Sequence, residues 1–459
     1  MKAHARSGAL FAALTTLGAL ASLWLAGLPA AGAQSLEETL VSAYRSNPAL
    51  AAQRARLDQT EEGYVQARAS RLPSVSANAE VSEQEVWGGA FNIRNGDLGY
   101  GLSINQPLYQ GGRISGSIDA ALARVEAGRE ALRAAEQGVL LDAVAAHAEV
   151  VRDRQIVAIR SNNVDVLAEQ LRAARDRFEV GEITRTDVAQ AEARLSGARA
   201  QLSAAQAALA ASRAAYVRVA GVEPADPEPA APPSAGLPEA LADAAQAALT
   251  TNPDLRAAQL QEIAAEQGVR VARGALRPNV SVGAQVSEGR PSDFSGQVQG
   301  SATVRAQVSM PLFTGGLNRS QVREARAAAD EARLSQLGVR RQVIEGVTNA
   351  WNNYLAAQAV IESSREAVRA NEIAFEGVEQ EAFVGLRTTL DVLNAEQELL
   401  NSRLELVRAE RDLTVAAYAL LQAMGFLDAA RLNLPVERRE ETPVEERGFA
   451  PNFDLTPWD

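Results

Sequence analysis

Apolar residues in this chain follow two periods, and the chain switches between them twice. Val75, Ala77, Ala79 and Val81 alternate with Ser74, Ser76, Asn78, Glu80 and Ser82; Tyr100, Leu102 and Ile104 alternate with Gly99, Gly101, Ser103 and Asn105. Val280, Val282, Ala284 and Val286 stand against Asn279, Ser281, Gln285 and Ser287, and Ala302, Val304, Ala306 and Val308 against Ser301, Thr303, Arg305 and Gln307. A period of two marks strands with one apolar and one polar face. Gly-rich stretches, about Gln84 to Asp97 and Gly289 to Gly300, join them into two hairpins, about 74–106 and 279–310.

Elsewhere the period is helical. Each hairpin is preceded by a short helix (Leu36 to Tyr44, Leu237 to Leu249), an Asn-Pro pair and a second helix ended by Pro73 or Pro278. Those second helices run from about Pro48 to Arg71 and from Pro253 to Leu276. Asparagine caps a helix start and proline fits its first turn. Each hairpin leads into a long helix, Arg113 to Phe178 and Leu317 to Phe383, of roughly 100 Å at 1.5 Å per residue. Beyond Val180-Gly181 and Val384-Gly385 the chain returns through about Thr186 to Ala220 and Thr388 to Met424. Val188, Leu195, Leu202, Leu209 and Tyr216 keep a seven-residue spacing, as do Leu393, Leu400, Val407, Thr414 and Leu421. Sustained heptads predict a coiled-coil seam, and Ala191, Ala198 and Ala205 beside it let backbones approach closely.

The same series of elements is written twice. Asn47-Pro48 recurs as Asn252-Pro253 at an offset of 205, and Pro107-Leu108-Tyr109-Gln110-Gly111-Gly112 recurs as Pro311-Leu312-Phe313-Thr314-Gly315-Gly316 at 204. Gly181 with Asp187 recurs as Gly385 with Asp391, again at 204. An internal two-fold repeat follows. It divides the chain into a leader (1–33), a first repeat (34–221), a Pro/Ala-rich linker (222–236), a second repeat (237–426) and an acidic tail (427–459). Because the returning helices are half the length of the outgoing ones, both Val-Gly turns are expected at one end of a rod and both hairpin loops at the other.

The leader is basic at Lys2 and Arg6, apolar from Ala9 to Leu28 and small at Ala31-Gly32-Ala33. That is the form of an export signal, with an uncleaved anchor as the alternative. No later segment is apolar for long enough to span a membrane as a helix. Cysteine is absent, which removes disulfides, thiolate metal sites and a lipidated cysteine. A formal charge of −12 argues against nucleic acid. Beyond the leader there is one histidine, His147, with no Walker loop and no spaced metal ligands, so neither enzyme chemistry nor a cofactor is expected. The carboxylates from Glu437 to Glu446 read as a solvated segment.

Four strands with one apolar face cannot lie alone in a bilayer, because their edges would be unpaired in hydrocarbon. Single-chain barrels begin at eight strands, so several copies of this chain must share one barrel; three give twelve strands and two the minimum of eight. Trp87, Tyr100, Tyr109, Phe294 and Phe313 fall near strand ends, where interfacial aromatics belong. The alternative is a soluble sheet on a helical stalk, covered by a partner.

The paired hairpins, the Pro-Leu-aromatic-x-Gly-Gly steps at Pro107, Gly111, Gly112 and Pro311, Gly315, Gly316, and two Val-Gly-x-x-Thr-x-x-Asp-Val turns resemble the TolC-type outer-membrane efflux channels. The resemblance covers about Ser35 to Phe426. It implies a mainly α fold with a β-barrel tip: a homotrimer closing a twelve-stranded barrel in outer-membrane lipid, with a helical tunnel through the periplasm. It also implies a periplasmic adaptor protein and an inner-membrane transporter as partners, in a tripartite efflux pump or a type I secretion system.

At the turns, the resemblance makes Asp187 and Arg387 a latch between inner and outer helix pairs. It makes Asp391 a residue lining the closed aperture. Asn394 stands where the family has a second aspartate, and Ala382 where it has a tyrosine. The simpler reading of Gly181, Thr184 and Asp187, and of Gly385, Thr388 and Asp391, is helix capping, and the two roles can coexist. A trimeric envelope stalk or adhesin shares the coiled coils and barrel but needs no closing aperture. Cargo, whether drug, metal ion or protein, is not written in the chain.

Overall fold

A computed structural model describes residues 34–87, 93–233, 236–291 and 298–437. The expected leader, Phe294 and positions 438–459 of the tail lie outside the described residues. The elements are α1 (Leu36–Ser46), α2 (Pro48–Ala69), β1 (Ser74–Val86), β2 (Ile93–Gln110), α3 (Arg113–Glu179), α4 (Arg185–Ala220), α5 (Leu241–Thr251), α6 (Pro253–Gly274), β3 (Asn279–Pro291), β4 (Gln299–Ser309), α7 (Leu317–Phe383) and α8 (Thr389–Ala423). None of the described helices is long and apolar enough to cross a membrane.

The helix starts are set by local chemistry. Ser35 and Glu38 exchange side-chain and backbone hydrogen bonds at the start of α1, a reciprocal cap. Asn47 accepts from the Ala49 N–H, and Asn252 from the N–H groups of Asp254 and Leu255, with proline next in each case. Helix α5 starts at Leu241, four residues later than the pattern predicts, because Ala240 is extended and offers no side-chain cap.

The strands outrun their predicted ends. Val86 pairs with Ile93 and Gly289 with Gln299, so much of each expected loop is ladder. All four strands form one antiparallel sheet in the order β1-β2-β3-β4. Its register sets Val75 opposite Ile104, Ala77 opposite Leu102, Leu102 opposite Val286, and Ala284 opposite Val304. The other face is rich in Ser, Asn, Gln and Gly, with Ser76–Ser103 and Ser287–Ser301 hydroxyl pairs at 2.7 and 2.9 Å. A one-residue slip would exchange the faces, so the alternation fixes the register. The apolar face is open: Val81, Leu102, Val286 and Val304 are among its exposed residues.

Contacts divide the chain into two compact units, each continuous with parts of the long helices. One comprises the described parts of Ala43–Asp142, Pro232–Ala367 and Asp412–Asp459, and holds the sheet. There β2 bulges at Leu108 after Pro107 and passes into α3 through Gly111 and Gly112, both at positive φ. A Cβ on Gly111 would lie 2.4 Å from the Gly274 carbonyl oxygen and 2.8 Å from the Arg277 Cβ. Arg277 also donates to the Gly111 carbonyl at 3.2 Å. The matching Gly315 and Gly316 are at positive φ too, yet a Cβ there meets nothing within 4 Å. Residues 427–437, the first part of the expected acidic tail, pack against this unit: Leu427, Ala429 and Leu434 are buried, and the Ala429 N–H donates to Glu136 at 2.7 Å.

The other unit comprises the described parts of Met1–Ser42, Ala143–Ala231 and Val368–Arg411. On α4 the continuous buried row is small: Ala191, Ala198, Ala205, Ser212 and Val219 are buried, while Leu202 and Leu209 of the expected leucine row are half-buried. On α8 the predicted row from Leu393 to Val407 is buried. His147 is fully buried. Its Nε2 donates to the Glu228 carbonyl at 2.8 Å, so its Nδ1 is the acceptor for Thr39 Oγ1 at 2.9 Å. Tyr216 bonds the same Thr39 oxygen at 2.9 Å. Gln34 pairs with the backbone of Asp226 and Glu228, so this network pins both the N-terminal segment and the linker to α3 and α4.

Two outcomes test this packing. Gly111→Ala should unfold at lower temperature than Gly316→Ala: both incur the left-handed backbone penalty, about 1–2 kcal/mol, but only the first also clashes. Equal melting temperatures would remove the wedge. Burial pushes the His147 imidazole below its ordinary value of 6.5. The unfolded chain then binds the proton more readily, so stability is full above pH 6.5 and declines as pH falls through the folded value. Melting curves of His147→Gln should lack that component, and an unchanged pH profile would refute it.

Candidate functional site

The two interhelical turns have one design. At the end of α3, the Gly181 N–H bonds the Phe178 carbonyl at 3.0 Å and the Glu182 N–H bonds the Arg177 carbonyl at 2.9 Å. At the end of α7, Gly385 and Leu386 bond Ala382 and Glu381 in the same way, at 3.0 and 2.8 Å. Both glycines are left-handed, at φ of 82° and 80°. This is the glycine-terminated C-cap that satisfies the last carbonyls of a helix.

The returning helices start with reciprocal caps. The Thr184 N–H and Oγ1 reach Asp187 Oδ2 at 2.9 and 2.8 Å, and the Asp187 N–H reaches Thr184 Oγ1 at 3.4 Å. Thr388 and Asp391 repeat this at 3.0, 2.8 and 3.3 Å. The Thr184 side-chain and backbone bonds hold the Asp187 carboxyl below the usual range. At Asp391 the Thr388 backbone bond is the first cause, with Arg387 adding to it. Both residues are half-buried, and their carboxylates stay charged near neutrality, where they also complement the helix dipole.

Arg387 makes its ion pair within its own turn. Its Nε lies 2.8 Å from Glu381 Oε2, with both side chains about half exposed. Asp187, the partner implied by the resemblance, is occupied as a cap. Asn394 Oδ1 accepts from Arg194 Nη2 on α4 at 3.1 Å. One residue earlier, Leu393 is 3% exposed and packs with Leu167, Leu171, Ala174, Ala191 and Leu195. The first turn of α8 is thus anchored on the α3–α4 pair by one apolar side chain and one polar bond. Glu381 and Arg194 were invisible to sequence reasoning, because long charged side chains choose partners through tertiary placement; Gly274 and Arg277, which close the β2–α3 step, carried no local signal either.

Both turns expose apolar side chains. Phe383, Val384 and Leu386 are 85, 66 and 76% exposed, and at the first turn Val180 is 72% exposed. Among the described residues no group of three or more His, Cys, Asp or Glu side chains is placed to hold a metal ion.

The family description "Outer membrane efflux protein" matches residues 39–222 and again 244–426. The outer membrane efflux protein BepC of Brucella suis is 36% identical over 423 residues, 91% of either chain. The outer membrane protein TolC of Vibrio cholerae is 26% identical, over 86% of this chain and 91% of that protein. Among solved structures, the CmeC outer membrane channel of Campylobacter jejuni superposes with a TM-score of 0.77 at 16% identity, over 85% of each chain. Together with the four-stranded sheet, the long helices and the paired turns, these matches place the chain in the outer membrane efflux protein family, to which TolC belongs.

Proposed function

We propose that three copies of this chain form a passive conduit through the outer membrane and periplasm, gated at the interhelical turns. The observation that carries this is the sheet. Its four strands present one apolar face in register and two strand edges without partners among the described residues. In hydrocarbon such edges require closure, and three copies supply twelve strands, within the range of outer-membrane barrels. The polar face, rich in Ser, Asn, Gln and Thr, then lines a wet lumen. Two successive matches of one family description support an internal repeat, with each half supplying one hairpin and one helix pair.

The conduit serves a tripartite efflux pump or a type I secretion system. Energy and cargo choice rest with an inner-membrane transporter, and a periplasmic adaptor reaches the turns. The exposed Phe383, Val384 and Leu386 offer apolar surface for that contact. In the closed state Asp391 contributes fixed negative charge at the aperture, and Asn394 beside it contributes none. Opening displaces α7 and α8 from α3 and α4, which breaks the Arg194–Asn394 bond and exposes Leu393. The latch acts through Arg387: held by Glu381 within one chain, it can exchange to Asp187 when the copies assemble.

In planar bilayers the purified protein should give small, long-lived conductance steps, and Arg387→Ala should enlarge them. Glu381→Ala and Asp187→Asn, alone and combined with Arg387→Ala, assign the partner: the true partner adds nothing once Arg387 is gone. Unchanged currents in all variants would sink the latch. Folded trimers that carry no current under any condition would sink the conduit itself.

A further inference from the structure

One end of the sheet carries a charge opposite to that of the whole chain. All four strands meet their helices at that end: β1 follows α2, β2 runs into α3, β3 follows α6 and β4 runs into α7. Around those helix ends, within about 10 Å at 1.5 Å per residue, positions 63–73, 110–119, 268–278 and 310–323 hold eight arginines and a single carboxylate, Asp119. Eight arginines less one aspartate leave a local excess of seven positive charges, in a chain whose formal charge is −12. Carboxylates return just beyond, at Glu62, Glu266 and Glu324.

Four of the arginines are engaged within the chain. Arg270 pairs with Asp119 at 2.9 Å, Arg277 donates to the Gly111 carbonyl and Arg113 to Gln110 Oε1, both at 3.2 Å, and Arg68 lies over the Tyr64 ring at 5.9 Å. Arg71, Arg273, Arg319 and Arg323 are exposed and make no ion pair among the described residues. The sheet fixes the place of one of them. Gln106, which shares the apolar face with Val282, donates to the Arg71 carbonyl at 3.0 Å, so Arg71 sits just off the end of that face. Leu72 and Leu276, next to Arg71 and Arg277 in the chain, are exposed as well. Like charges gathered in this way repel one another unless counter-charge lies against them from outside.

We propose that this belt is a docking surface for anionic phospholipid headgroups, in the leaflet of the outer membrane that faces the periplasm. The inference rests on the reading that the apolar face lies in that membrane, and it adds which lipid meets the lower edge of the face. A guanidinium presents paired donors that match phosphate oxygens, and basic side chains beside a membrane segment attract anionic lipids. The exposed leucines enter the acyl boundary while the arginine heads stay at the phosphates.

The test places the full chain in phosphatidylcholine vesicles holding a trace of spin-labelled phosphatidylglycerol or spin-labelled phosphatidylcholine. Electron paramagnetic resonance then reads the fraction of each label immobilised against the protein. Phosphatidylglycerol should associate at least about threefold more strongly, and the preference should fade as added salt screens it. Arg71→Gln, Arg273→Gln, Arg319→Gln and Arg323→Gln combined break no ion pair and should abolish the preference. Arg340→Gln with Arg341→Gln, at exposed positions roughly 25 Å further along α7, should preserve it. Equal association of the two lipids, or a preference that survives the fourfold variant or disappears equally in the distal one, would overturn the proposal. A chain that immobilises neither label would overturn the membrane reading beneath it as well.

Discussion

Backbone hydrogen bonding at the two outer strands constrains everything else in this chain. Among the described residues β1 and β4 pair on one side only, and the face they share with β2 and β3 is mostly Val, Ala, Leu and Ile, with Tyr100 and Glu288 at one end. Water tolerates the edges but penalises that face; hydrocarbon accepts the face but leaves each edge donor and acceptor at a cost of several kcal/mol. No monomer satisfies both conditions. A closed ring of copies does, and the hydroxyl pairs Ser76–Ser103 and Ser287–Ser301 show the polar face already organised to meet water.

The steps from sheet to helix show how one motif serves two packing problems. Pro-Leu-aromatic-x-Gly-Gly gives the same positive φ pair at Gly111-Gly112 and Gly315-Gly316. At the first step Gly111 is clamped against Gly274 and Arg277 of the same unit. At the second, Leu312 and Phe313 are 90% exposed and the glycines face open space. Similar sequence therefore does not mean similar surroundings. The second step has the larger exposed apolar surface and, in the proposed trimer, the greater demand for a neighbour.

What could be read without coordinates was whatever is local. Period-two alternation marked the strand faces, and Asn-Pro marked two helix starts, because each depends on residues within a few positions. The helical seam was legible in part. The leucine heptad was evident, but on α4 the row that stays buried throughout is Ala191, Ala198, Ala205, Ser212 and Val219. Close backbone approach favours small side chains, which hydrophobicity alone ranks low. The strand ends were hidden because glycine and acidic residues near Gln84 to Asp97 read as a loop, yet the ladder carries them. The ion pairs Arg387–Glu381 and Arg403–Glu372 were out of reach for a different reason: their partners are chosen by tertiary placement.

The caps bear directly on how a gate at these turns can work. Asp187 and Asp391 each spend a carboxylate oxygen on a threonine N–H and hydroxyl, and those bonds hold both carboxyls in the charged form. Mild acid therefore does not switch the turns, and unwinding them would discard the C-cap and N-cap together. The turns must travel as rigid pieces. Motion is left to the contacts between helices, among them the Arg194–Asn394 bond and the buried row from Leu393 to Val407. With asparagine at 394, the α4–α8 bond has one charged partner, Arg194, and lacks the mutual attraction of an ion pair. A gate of the proposed kind would be closed by packing and released by a partner's push, with the charge at its aperture constant throughout.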